Sequence, residues 1–135
     1  MVERDGADVI VLVVDDEPLV LGMVATALRS FGLTVVTAGR GDEAVSRFEA
    51  HGTRIGAVLL DVQMEPWDGP RTLAALRRLD PAVPAAFMSG DTGRYSAAEL
   101  LALGAARVFF KPFPNLAALA AALRELAAVS DPAGG

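Results

Sequence analysis

The stretch VLVVDDEP, residues 11–18, indicates the fold, because an apolar segment is followed by two adjacent carboxylates and then by a proline. It completes a continuous apolar run, Val9 to Val14, and runs of this kind are typical of strands buried on both faces of a parallel sheet. Asp15 and Asp16 follow at once, and Pro18 suits the first turn of a helix. We therefore expect a strand, a polar edge and a helix in this order.

The same succession recurs along the chain. Four further apolar runs have the same character: Leu33–Thr37, Ile55–Leu60, Val83–Met88 and Ala105–Phe110. After each run, apolar residues recur every three or four positions, which indicates a helix. Five such units predict an α/β protein with a flavodoxin-like, doubly wound (βα)5 sandwich, whose parallel five-stranded sheet has the order 2-1-3-4-5. An eight-fold barrel would need about twice this length.

Composition fits one globular domain. The 135 residues lie near the commonest domain size, and 53% of them are hydrophobic against 21% charged, which excludes a disordered chain. We expect an N-terminal extension at residues 1–8, one domain at 9–129 and a flexible tail at 130–135. The absence of cysteine excludes a disulfide framework and a Cys-based metal site.

Charge and hydropathy exclude several partners. The net charge of −5 argues against broad nucleic-acid binding. The acidic N-terminus does not fit a signal peptide, and no run approaches the ~20 apolar residues of a membrane span. We therefore expect a cytoplasmic protein that contacts neither nucleic acid nor membrane directly.

Three carboxylates are predicted to meet at one edge of the sheet. Ligands of such folds bind at the carboxyl ends of the strands where the strand order reverses, here between strands 1 and 3. Asp15 and Asp16 end strand 1, and Asp61 follows strand 3. Two unit charges ~4 Å apart repel by roughly 4 kcal/mol near a surface, so a cation is expected. Oxygen ligands without His or Cys suit Mg²⁺ or Mn²⁺. Asp16 could alternatively cap the first helix, or do both.

Two further polar residues should reach the same edge. Ser89 ends strand 4, and Lys111, the only lysine among the twelve basic residues, ends strand 5. Phosphoryl transfer needs charge neutralisation and alignment more than a general base. In this reaction Asp61 would be the nucleophile that forms an acyl phosphate, while Lys111 and Ser89 would contact phosphoryl oxygens.

Four stretches together resemble the response-regulator receiver family of two-component signalling, in particular its single-domain receivers of chemotaxis type. They are VLVVDDEP at 11–18, LLDVQMEPWDG at 59–69, MSG at 88–90 and FFKPF at 109–113. Each motif is weak alone, but the ordered set is specific and covers residues 9–129. The resemblance implies that a sensor histidine kinase or a histidine phosphotransfer protein phosphorylates Asp61 with Mg²⁺. It implies a signalling protein that catalyses its own phosphorylation and dephosphorylation, and not an enzyme acting on a separate substrate.

The resemblance also assigns roles to single residues. The main-chain carbonyl of Gln63 would join Asp15, Asp16 and Asp61 as a metal ligand. Ser89 and Lys111 would bind the phosphoryl group, and a cis peptide bond would precede Pro112. A downstream protein partner would bind the face of helix 4, strand 5 and helix 5, in a monomer or weak dimer. Candidate contact residues there are Arg94, Tyr95, Glu99 and Arg107.

The chain departs from the family pattern at two positions. Glu65, followed by Pro66, stands where the family usually has Pro, and Val108 stands where it often has an aromatic switch residue. We expect Phe109 and Phe110 to be strand core. Gln63 and Asp91 occupy positions that tune dephosphorylation in the family.

These departures keep alternatives open. The first is a receiver fold that works as a constitutive protein-binding module. A haloacid-dehalogenase-type hydrolase fits less well, because its second acid lies two residues after the nucleophile, whereas Asp15 and Asp16 are adjacent. A flavodoxin would need a Gly- and hydroxyl-rich phosphate loop after strand 1. Trp67, in the loop after Asp61, has two open interpretations, half-buried packing or partner contact.

Overall fold

The computed structural model describes residues 9–90, 95–113 and 115–129, and within these ranges five strands alternate with five helices. The strands are β1 (Ile10–Val14), β2 (Thr34–Ala38), β3 (Ile55–Asp61), β4 (Ala85–Ser89) and β5 (Arg107–Phe110). The helices are α1 (Pro18–Ser30), α2 (Gly41–His51), α3 (Gly69–Leu79), α4 (Ala97–Ala102) and α5 (Leu116–Val129), and a 3-10 turn, Gly52–Arg54, follows α2.

The strands form one parallel sheet in the order β2-β1-β3-β4-β5, which confirms the predicted fold class. Some element bounds differ from the prediction. Strand β4 begins at Ala85 and not at Val83, because Pro84 between them has no N–H to donate to a neighbouring strand. Helix α4 begins at Ala97 and not at Tyr95, because Ser96 caps it: the Ser96 hydroxyl accepts from the Glu99 N–H, and the Glu99 carboxylate accepts from the Ser96 N–H.

Strand β1 shows why its sequence has no polar alternation. Ile10, Leu12 and Val14 face a first core cluster shared with α2, α3 and α4. Val11 and Val13 face a second core cluster shared with α1 and α5. All five side chains are at most 2% exposed, because helices cover both faces of the sheet.

None of the helices in the described ranges is long and apolar enough to cross a bilayer.

Replacing two glycines by alanine, one inside α1 and one just after it, should change the free energy of unfolding in opposite directions. A Cβ at Gly22, inside α1, would meet nothing within 4 Å, so Gly22→Ala should raise the free energy of unfolding by up to about 1 kcal/mol. Gly32 has φ +91°, where a Cβ is strained, so Gly32→Ala should lower it by about 1–2 kcal/mol. Urea denaturation of both variants measures the difference. If both variants changed the free energy of unfolding by the same amount in the same direction, the end of α1 between Gly22 and Gly32 would be contradicted.

Candidate functional site

The carboxyl ends of the parallel strands place four polar residues at one edge of the sheet, the rim. Asp15 follows β1, and its N–H donates to the Ala38 carbonyl of β2 at 3.2 Å. Asp61 and Ser89 are the last residues of β3 and β4. Lys111 follows β5, and its N–H donates to the Ser89 carbonyl at 2.9 Å. The parallel ladder thus continues as far as the residues that carry the polar side chains.

Three carboxylates converge at this rim, as the sequence predicts. Asp15 is fully buried and Asp61 is 4% exposed, whereas Asp16 is open to solvent. One carboxylate oxygen from each lies within 4.8 Å of the others. An all-carboxylate set of this size fits a hard divalent cation such as Mg²⁺.

Lys111 joins two of these carboxylates. Its Nζ donates to Asp15 Oδ2 at 2.8 Å and lies 3.4 Å from Asp61 Oδ1. Burial lowers the pKa of Lys111, but the hydrogen bond to Asp15 and the charges of Asp61 and Asp15 outweigh it, so that its pKa is above the ordinary value. The ammonium therefore stays charged and offsets part of the negative charge at the rim.

Asp61 keeps a high proton affinity despite this contact. Desolvation by burial is the largest cause, followed by the charge of Asp15, and together they outweigh Lys111 and raise the pKa of Asp61 from 3.8 to about 7. The Asp16 charge adds a smaller increase. Without a further cation, Asp61 is therefore about half protonated near neutral pH. A divalent ion at the rim would favour the ionised form.

Asp16 does not cap the first helix, so that alternative is wrong. The N-cap position of α1 is Glu17, and no side chain makes the capping bond there. The buried Asp15 stabilises the turn before the helix, since its Oδ1 accepts from the Glu17 N–H at 2.9 Å. The Asp16 carboxylate lines a cavity at the rim.

That cavity has a volume of about 490 Å³ and lies beside the carboxylates. Its lining residues are Asp16, Val62, Gln63, Met64, Glu65, Asp68 and Tyr95. Glu65, which stands where the family usually has Pro, therefore adds a carboxylate close to Asp16. The peptide bonds Glu65–Pro66 and Lys111–Pro112 are both cis, the second as the resemblance implies.

Gly69 lets the loop after β3 fold back onto Asp61. Its N–H donates to the Val62 carbonyl at 2.8 Å. A Cβ at this position would collide with the Asp61 carbonyl oxygen. The loop that lines the cavity is therefore hydrogen-bonded to the backbone of Val62 and lies against the backbone of Asp61.

Trp67, in this loop, packs against the start of α2, which favours the first of its two interpretations. The ring is half-buried, and a Cβ at Gly41 would come within 2.8 Å of Trp67 Cε3. The Arg71 guanidinium lies 4.9 Å from the ring centroid, within cation–π range.

Tyr95, one of the four candidate contact residues, makes contacts within the domain, and its role in partner binding stays a prediction. Tyr95 is half-buried, packs against the first core cluster, and donates its hydroxyl to Asp68 Oδ2 at 2.9 Å. No local pattern reveals this bond, since the two residues lie far apart in the sequence. Of the other candidates, Glu99 and Arg107 are exposed. Arg94 lies outside the described residues, as does Asp91.

Phe110 is not strand core, contrary to the prediction. Its side chain is 54% exposed, because β5 is an edge strand and Phe110 lies at its rim end. Phe109 is half-buried against the second core cluster, and Val108 packs against the first. The aromatic position that faces solvent on β5 is therefore Phe110.

Comparison with known proteins defines the family. A family model described as "Response regulator receiver domain" matches residues 11–124, so the chain belongs to this family of two-component signalling domains. It is 35% identical over 113 residues to the probable transcriptional regulatory protein TcrX of Mycobacterium tuberculosis, covering 84% of this chain and 47% of TcrX. It is 38% identical over 116 residues to the transcriptional regulatory protein PrrA of Mycobacterium leprae, covering 86% and 48%. The chain thus spans about half the length of these relatives.

Solved structures agree with this assignment. The chemotaxis protein CheY4 of Vibrio cholerae superposes with a TM-score of 0.76 at 28% identity, covering 87% of this chain and 98% of CheY4. The described fold is therefore that of a receiver domain.

The raised pKa of Asp61 predicts a pH-dependent effect of Asp61→Asn on the metal-free protein. Between pH 3.8, the ordinary pKa, and about 7, the folded state holds a proton that the unfolded state releases, so this contribution to stability is lost as pH rises through that window. Asn has no such titration. The variant should match wild type near pH 4 and exceed it by on the order of 1–3 kcal/mol at pH 8.

Urea denaturation at a series of pH values, in chelator, measures this difference. Asp42→Asn, which changes an exposed carboxylate on α2, is the matched control for the replacement of a carboxylate by an amide. A constant difference for Asp61→Asn across the series would contradict the raised pKa.

Proposed function

We propose that this receiver domain accepts a phosphoryl group on Asp61 from a sensor histidine kinase or a histidine phosphotransfer protein. The observation that carries the proposal is the arrangement around Asp61. This carboxylate is nearly buried, has two further carboxylates within reach of a common ion, and lies 3.4 Å from a charged lysine. A buried carboxylate with a raised pKa and specific charge partners beside a cavity is a candidate functional group.

The reaction needs a nucleophile that is desolvated but ionised. An Asp61 carboxylate oxygen forms the new O–P bond, the P–N bond to the donor imidazole breaks, and the leaving nitrogen keeps the electron pair. Because Asp61 holds its proton up to about pH 7 without a cation, the ionised nucleophile depends on its neighbours. Asp15, Asp16, Asp61 and the main-chain carbonyl of Gln63 would hold Mg²⁺ or Mn²⁺, which when bound neutralises charge on the phosphoryl oxygens.

Lys111 and Ser89 engage the other phosphoryl oxygens in this proposal. Lys111 already lies between Asp15 and Asp61, so a small displacement of its Nζ brings it to a phosphoryl oxygen on Asp61. Ser89 is 1% exposed at the end of the neighbouring strand, and its hydroxyl would donate to a second oxygen. Both act as donors that stabilise charge and neither acts as a base.

The output follows from a shift between two conformations. The phosphoryl group adds about −1.5 to −2 charge and draws Ser89 toward it, and α4 is displaced as a result. The face of α4, β5 and α5, which includes the exposed Leu101, Leu103 and Phe110, would then bind a downstream protein. We further propose that residues 9–129 work as a unit in the cytoplasm, as a monomer or weak dimer, without direct contact to nucleic acid or membrane.

Phosphorylation by a small donor tests the acceptor. Incubation with acetyl phosphate and Mg²⁺, followed by intact mass measurement, should show the gain of one phosphoryl group. Asp61→Asn should show none, because the nucleophilic oxygen is gone. Asp42→Asn, which changes an exposed carboxylate on α2, should still gain one.

Two results would contradict the proposal. Equal phosphorylation of Asp61→Asn would place the acceptor elsewhere. No gain by wild type, where a control receiver reacts, would favour a constitutive protein-binding module, the function that the departures at Glu65 and Val108 suggest.

A further inference from the structure

Helix α4 is fastened at both ends to the segment that runs from the Asp61 loop through α3. At its start, the Tyr95 hydroxyl donates to Asp68 Oδ2 at 2.9 Å. At its end, the Arg77 guanidinium donates to the carbonyls of Gly104 and Val83, each at 2.9 Å. With six residues, α4 is short, so these contacts contribute strongly to its position.

Asp68 is held firmly relative to Asp61. Its Oδ1 accepts from the Arg71 N–H at 2.9 Å and so caps α3. The next residue, Gly69, donates to the Val62 carbonyl and lies against the Asp61 carbonyl. Through Asp68, the Tyr95 hydroxyl is therefore bonded to the loop that the phosphoacceptor itself begins.

Tyr95 lies at the other end of this bond, two residues before α4 begins at Ala97. Its ring packs against the first core cluster, and Tyr95 and Asp68 both line the rim cavity. A displacement of α4 relative to the Asp61 loop would change the distance between the hydroxyl and Asp68.

We propose that Tyr95 is a positioning residue that holds the start of α4 beside the Asp61 loop through Asp68. The inference rests on the proposed function of Asp61. Because the bond ties the start of α4 to the loop that Asp61 begins, it opposes the displacement of α4 that the proposed output requires, and it therefore slows phosphorylation. Its removal should make the phosphorylated conformation easier to reach.

Tyr95→Phe tests this inference, because it removes the hydroxyl and keeps the ring in the core. The rate of phosphorylation by phosphoramidate with Mg²⁺ should rise about three- to tenfold, the range expected for loss of one hydrogen bond of modest net strength. In the absence of a donor, backbone amides of residues 95–103 should also exchange hydrogen faster.

Asp68→Ser provides the matched partner variant. Serine retains an oxygen that can cap α3 but is too short to reach the Tyr95 hydroxyl. It should raise the rate to a similar extent, and the double variant should be no faster than either single one, because both remove the same bond. Urea denaturation of each variant detects a purely structural effect, which would lower stability without raising the rate.

The outcomes separate this inference from the proposed function. An unchanged or lower rate in Tyr95→Phe, unchanged exchange at 95–103, or additive effects in the double variant would each overturn the role of Tyr95. If wild type gains no phosphoryl group at all, the proposed function fails, and the exchange measurement alone decides whether the bond holds α4.

Discussion

The contact of Lys111 with Asp15 and Asp61 is the interaction on which the site depends. Two buried carboxylates side by side would repel strongly, and burial removes the water that would screen them. The Lys111 ammonium, 2.8 Å from Asp15 and 3.4 Å from Asp61, offsets part of this repulsion. Lys111 does not offset burial and repulsion completely, since desolvation of Asp61 and the charge of Asp15 still raise the pKa of Asp61 to about 7. The rim therefore keeps uncompensated negative charge that a cation would stabilise. A metal-assisted acceptor of phosphoryl groups requires this property.

The sheet makes this contact possible. Strand β1 lies between β2 and β3, so Asp15 and Asp61 end neighbouring parallel strands at the same edge. Lys111 comes from the far edge strand, and its backbone N–H bonds to the last residue of β4. The long lysine side chain covers the remaining distance. The order of the strands, and no local sequence feature, is what brings these residues together.

Much of this arrangement follows from the sequence. Mostly apolar runs, four of the five followed by a polar residue, predict a parallel sheet with a polar rim, and the structure has both. Pro18, Gly32 and Gly104 mark helix ends as their backbone preferences require. The sequence does not reveal contacts between residues that lie far apart along the chain, or which residues of an apolar run face solvent. Tyr95 bonds to Asp68 beside the cavity, and Phe110 turns outward on an edge strand although the run that contains it is apolar. Both depend on tertiary packing, which local periodicity does not encode.

Reductive trapping of the phosphorylated domain shows directly whether Asp61 is the residue that accepts the phosphoryl group. Borohydride reduces an aspartyl phosphate to homoserine, and peptide mass spectrometry then locates the changed residue. If Asp61 accepts the phosphoryl group at this rim, homoserine should appear at position 61 after treatment with phosphodonor and Mg²⁺, and only there. Homoserine at Asp15 or Asp16, or a phosphorylated protein with no homoserine, would contradict it.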